Sequence, residues 1–110
     1  MIIWIDMLAG DDAKTASVAA KIFQHEHVIQ FHDPNKLMGK AVAKSLRAHN
    51  AIAWDIYLFF EKGSKWLEHF PTPLDWAHQL EDPRASPGHY AWGDDLHVRL
   101  QTIVNDLIEI

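Results

Sequence analysis

Cysteine is absent from this chain of 110 residues. Its absence excludes disulfides, thiolate-bound zinc, iron–sulfur clusters and any thiol nucleophile. Long apolar runs are also missing: none approaches the roughly 20 residues that a membrane-spanning helix needs. No basic segment followed by an apolar stretch and a cleavage site opens the chain. A soluble, cytoplasmic protein with no membrane partner is the expectation. Glycine is scarce, at five residues, and nowhere forms a phosphate-cradling loop. No cofactor is therefore expected. Positive charge is in deficit, and a net charge of −5 offers no general attraction for a phosphate backbone, so no nucleic-acid partner is expected. The one basic stripe, Lys36, Lys40, Lys44 and Arg47, has helical spacing and reads as a solvated helix face.

What is present is ordinary globular material. Hydrophobic residues make up 48% and charged residues 23%, enough for one packed core but not two, so residues 1–110 read as a single domain. Two residue types stand out, eight histidines and five tryptophans. The first gives metal or proton chemistry more opportunities than usual. The second suggests a large aromatic core or an adhesive surface.

Residues 2–8, IIWIDML, read as a strand buried on both faces. Gly10-Asp11-Asp12 breaks it and supplies a carboxylate cap for a helix over residues 13–24. A second strand is expected over 27–32, a second helix over 36–49, and a third strand over AIAWDIYLFF, residues 51–60. The turn Glu61-Lys62-Gly63-Ser64 then predicts a hairpin whose returning strand is 65–68. In TPLDWAHQL, residues 72–80, Thr72, Pro73 and Asp75 form a variant capping box and predict a helix with Trp76 and Leu80 on its packed side. Pro83, Pro87 and Gly88 mark an irregular stretch from 82 to 93. Asp94 or Asp95 then caps a helix running to the C-terminus.

This β-α-β-α-β-β-α order with an extra C-terminal helix resembles the thioredoxin-like fold, and predicts an α/β protein with a mixed central sheet. Leu8-Ala9-Gly10-Asp11-Asp12 occupies the place after the first strand where that fold carries its redox cysteines, so thiol redox activity is not implied. A second resemblance is local. AWDIYLFF (53–60), Trp66 and PTPLDWAHQL (71–80) resemble a pattern in small uncharacterised bacterial proteins: an Ala-Trp-Asp strand, a Trp, and a Pro-x-Pro-x-x-Trp-x-His-Gln-Leu segment. It implies no activity.

Three residues are candidates for catalysis. Asp6 and Asp55 place a carboxylate inside apolar strands, where a charge is costly unless paired. For Asp6, an indole N–H, a lysine or a histidine would serve as partner. His78 is left without a forced packing role by the capping pattern around it; a structural bond to a carbonyl or carboxylate, fixing the following loop, competes with general acid–base work. His25 and His27, two residues apart, and Asp33 are the candidate metal ligands, although no third ligand has a recognised spacing. Asp6, Asp11, Asp12 and Asp33 would crowd one rim if the first strands are parallel, which is where an α/β sheet gathers ligands. Trp54, Trp66, Trp76, His78, Gln79, Tyr90 and Trp92 are the candidate binding residues, with His89, Tyr90 and Trp92 carried on the irregular stretch. The function expected is a binding or self-association module whose partner is a protein or a second copy. The alternative is a metal-dependent hydrolase or phosphotransfer enzyme using Asp and His.

Overall fold

The computed structural model of the chain describes residues 1–82 and 85–108. Strand β1 (Ile2–Ile5) leads to helix α1 (Ala13–Ala20), which tightens into a 3-10 turn at Lys21–Phe23. Strand β2 (Gln30–Asp33), helix α2 (Leu37–Ser45), strand β3 (Ile56–Phe59) and strand β4 (Asp75–His78) follow. A 3-10 turn at Pro87–His89 precedes helix α3 (Gly93–Ile108). The protein is a mixed α/β structure, and no helix among the described residues is long and apolar enough to cross a membrane.

The strands form two separate two-stranded sheets, β1–β2 and β3–β4, in place of the single mixed sheet expected. β1 and β2 run parallel, with Trp4 opposite His32 and Ile5 opposite Asp33. Alternation along the strands sends Trp4 and Gln30 toward α1, where the Gln30 amide donates to the Ala20 carbonyl at 3.0 Å and accepts from the Trp4 indole at 2.8 Å. Ile5 and Asp33 face α2 on the other side. Both helix starts are fixed by carboxylates. Asp12 accepts from the Thr15 amide at 2.8 Å while Thr15 Oγ1 accepts from the Asp12 amide, a reciprocal capping box. Asp33, buried, accepts from the first amides of α2, Leu37 and Met38, both at 2.8 Å.

β3 and β4 pair antiparallel, Ile56 opposite His78 and Leu58 opposite Trp76. This corrects two expectations. Residues 65–68 form no strand, and segment 72–80 is no helix: its centre is the strand that completes the hairpin. The local capping box loses to the β3 ladder, which the Leu74 amide joins through the Phe59 carbonyl at 2.7 Å. The helix expected over 72–80 is thus not present, whereas the expected C-terminal helix is, as α3, the one α-helix after β4 among the described residues.

The third strand is also shorter than expected. Residues 51–55 leave it because the Ala53 amide donates to the Gly39 carbonyl at 2.9 Å, tying that segment to α2, and because Asp55 turns into the left-handed region at φ 51°. α3 begins at Gly93 with φ 58°, so Asp94 and Asp95 lie in its first turn and complement the helix dipole instead of capping it. The expected extension of α3 to Ile110 and the Pro83 breaker fall outside the described residues. A core of Ala77, Ala91 and Leu96, with Leu100 against it, joins α3 to β4.

Candidate functional site

Alternation along β4 decides which side chains meet. Ala77, completely buried, and Asp75 face α3, where Asp75 lies 3.7 Å from Arg99. Trp76 and His78 project to the opposite face. There they line a cleft of about 470 Å³ with Ile56 of β3, the segment Leu46 to Trp54 that follows α2, and the Ala85–His89 segment.

The wall formed by β4 is held by histidines. His78 is only 3% exposed, and both its ring nitrogens are engaged. Nε2 meets the Ser86 carbonyl at 2.8 Å and Nδ1 accepts from the Leu80 amide at 3.2 Å. That pair of contacts places the proton on Nε2, where it donates, and leaves Nδ1 as acceptor. His89 stacks on the Trp76 indole with centroids 3.8 Å apart and planes inclined by 9°. Its Nδ1 meets Ser86 Oγ at 2.8 Å. Burial, with the Arg99 guanidinium adding to it, holds His89 below the ordinary histidine range and so keeps the ring neutral. Arg99 also donates to the Trp76 and Gly88 carbonyls, at 3.3 and 3.0 Å, which closes the loop against the hairpin.

A second, smaller cleft of about 190 Å³ lies between β1 and α1, lined by Trp4, Asp6, Asp11, Asp12 and Thr15 among others. Asp6 pairs with His32 across the parallel strands at 2.8 Å. Asp11 turns back to accept from the Leu8 and Met7 amides, and these bonds hold its carboxyl below the ordinary range. Asp12 is lowered too, first by the Thr15 amide and then by the Thr15 hydroxyl. Asp33 points away from this rim into α2.

The candidate catalytic residues share neither cleft: His78 lines the larger, Asp6 the smaller, and Asp55 lines neither. Asp55 is exposed at the entrance to β3, and its carbonyl accepts from the Gln79 amide at 3.0 Å. His25 and His27 are exposed, with ring centroids 5.4 Å apart and the His27 amide donating to His25 Nδ1. Asp33 is not with them. Among the described residues there is no group of three His, Asp or Glu side chains placed to hold a metal ion.

Of the candidate binding residues, Trp54, Trp76 and His78 meet in the larger cleft. Gln79 donates to the Tyr57 hydroxyl at 3.2 Å. Tyr90 is half-buried; burial raises its phenol above the ordinary range, and the Glu81 carboxylate adds to the rise. Trp66, half-exposed, packs edge-on against Phe70 at 5.3 Å, away from the cleft, and Trp92 is 63% exposed. Nothing in the sequence pattern marks Arg47, His49, Asn50 or Ser86 as cleft residues. Arg47, His49 and Asn50 sit in the segment after α2 and Ser86 lies some 36 residues further on, and only the fold brings them together.

Comparison of the chain with protein-family models, curated proteins and solved structures returned no significant match.

Proposed function

We propose that this chain is a thioredoxin-like α/β binding module, soluble and cytoplasmic, that acts by self-association and not by thiol chemistry. The chain order β-α-β-α-β-β-α supports the fold assignment. A single mixed sheet would additionally require the parallel and antiparallel pairs to share an edge.

The observation that carries the functional reading is excess uncovered surface, with large apolar side chains exposed on it. The chain exposes 8279 Å², against roughly 6,200 Å² for a folded monomer of its mass. Its radius of gyration is 14.3 Å, where about 13 Å is usual for this length. Among the described residues no large side chain is completely buried. The excess, about 2,000 Å², exceeds the roughly 800 Å² that each partner contributes to a standard interface.

The favoured contact is the outer edge of β2. That edge has no partner among the described residues. Ile29 and Phe31, two residues apart and on one face of the strand, are 62% and 52% exposed. Gln30-Phe31-His32-Asp33 contains none of the lysine or proline that blunts a free edge. A second copy related by a two-fold axis would pair its β2 antiparallel to the first and cover the same side chains on both. Because association stabilises by mass action, the melting temperature should rise with protein concentration. A melting temperature independent of concentration over a hundredfold range would contradict the reading.

A further inference from the structure

The chain has 15 carboxylate side chains and a net charge of −5. None of the described carboxylates is among the residues that line the larger cleft. Its described lining holds one arginine and three histidines instead, with Trp54, Trp76, Ile52, Ile56 and Leu80 as apolar wall. Against the composition of the whole chain, this is a local reversal of charge.

Arg47 accounts for most of it. It stands just past α2 at φ 52° and is exposed, and none of its hydrogen-bonding groups meets a carboxylate among the described residues. His49 and Asn50 share its rim of the cleft. The opposite wall is rigid: Trp76 is fixed by the stacked His89 ring, and His89 is anchored by Ser86. A preformed aromatic wall binds a ring without the entropy loss of ordering loose side chains. A volume of about 470 Å³ falls within the range of roughly 300–1,000 Å³ typical of small-molecule sites.

We propose that the cleft binds a small planar aromatic acid, its ring against Trp54 and Trp76 and its carboxylate on Arg47. A guanidinium forks onto the two oxygens of a carboxylate. Arg47 is the one arginine among the described lining residues and, with His89 kept neutral, matches a single negative charge better than a doubly charged phosphate. With no carboxylate among the described lining residues, an acid meets less repulsion here than elsewhere on this surface. This site is distinct from the β2 edge and does not depend on self-association.

The test is calorimetric titration of the full chain with indole-3-acetate and with indole-3-acetamide, which has nearly the same shape without the charge. The acid should bind at least about tenfold more tightly than the amide. Arg47→Gln, an exposed substitution, should bring the acid down to the amide's affinity and leave the amide unchanged. Trp54→Leu should weaken both. Equal affinities for acid and amide, no binding of either, or an acid affinity unaffected by Arg47→Gln would overturn the proposal. If Trp54→Leu fails to fold, the Arg47→Gln comparison decides alone. Phenyl phosphate as a third titrant separates carboxylate from phosphate recognition: tighter binding than indole-3-acetate would overturn the single-charge assignment.

Discussion

His78 and His89 are neighbours on one wall, yet the two imidazoles have different jobs. His78 satisfies two backbone groups, the Ser86 carbonyl and the Leu80 amide, from a position with almost no solvent contact. Replacing it with leucine keeps the volume but leaves both groups without their partner. The expected loss is about 1–3 kcal/mol, lowering the melting temperature by about 4–8 °C for each kcal/mol. Differential scanning calorimetry of His78→Leu measures it. His89 contributes through its charge state. Its folded value lies below the ordinary one, chiefly through burial. Below about pH 6.5 the unfolded chain therefore binds more protons than the folded chain. Stability should be complete above that pH and decline as pH falls toward the folded value. In urea titrations, His89→Gln should show a smaller loss between about pH 7 and 5 than the parent chain. A parallel loss in both would remove His89 from the account.

At the scale of elements, the Asp12 cap and the amphipathic stripes were legible in the chain, and α1, α2 and α3 fall within or beside the stretches their periodicity marks, whereas Asp33 as the cap of α2 was not foreseen and Asp94 and Asp95 lie inside α3 instead of capping it. β1, β2 and β3 were legible as apolar segments, with ends misplaced by a few residues. Segment 72–80 was not. Thr72, Pro73 and Asp75 satisfy a helix start locally, whereas pairing to β3 and burial of Ala77 under α3 are set by residues far away in sequence. Such tertiary pairing overrides local preference in a short segment. The cleft was half legible: its tryptophans and His78 are conspicuous residues, but Arg47 looks like one more charge on a solvated helix until the chain folds. Gly39 was equally inconspicuous. A Cβ there would lie 2.6 Å from Ile5 Cδ1, 2.7 Å from Ile52 Cγ2 and 3.0 Å from the Ala53 carbonyl oxygen. Helix propensity alone predicts that Gly39→Ala stabilises α2. The close approach of β1 and the 52–53 segment predicts the reverse, a net loss of about 1–2 kcal/mol from overpacking, read as a lower urea midpoint.

At the scale of the molecule, the two sheets share no strand pairing, and neither is large enough to bury a full apolar core. Alanines dominate the buried set, which comprises Ala16, Val42, Ala43, Ala77, Ala91, Leu96 and Ile103 among the hydrophobic residues described. Larger side chains such as Ile22, Ile29, Phe31 and Trp92 remain on the surface. Under the proposed self-association, a second copy would supply much of the missing burial, and the β2 edge, unpaired among the described residues, is where hydrogen bonding and apolar area coincide. The most direct measurement is sedimentation velocity of the parent chain beside Phe31→Lys, an exposed change that puts a charge on that edge. Self-association through β2 predicts a parent species of twice the 12.6 kDa chain mass and a folded, monomeric Phe31→Lys. A monomeric parent chain, or a dimer that persists in folded Phe31→Lys, would contradict it.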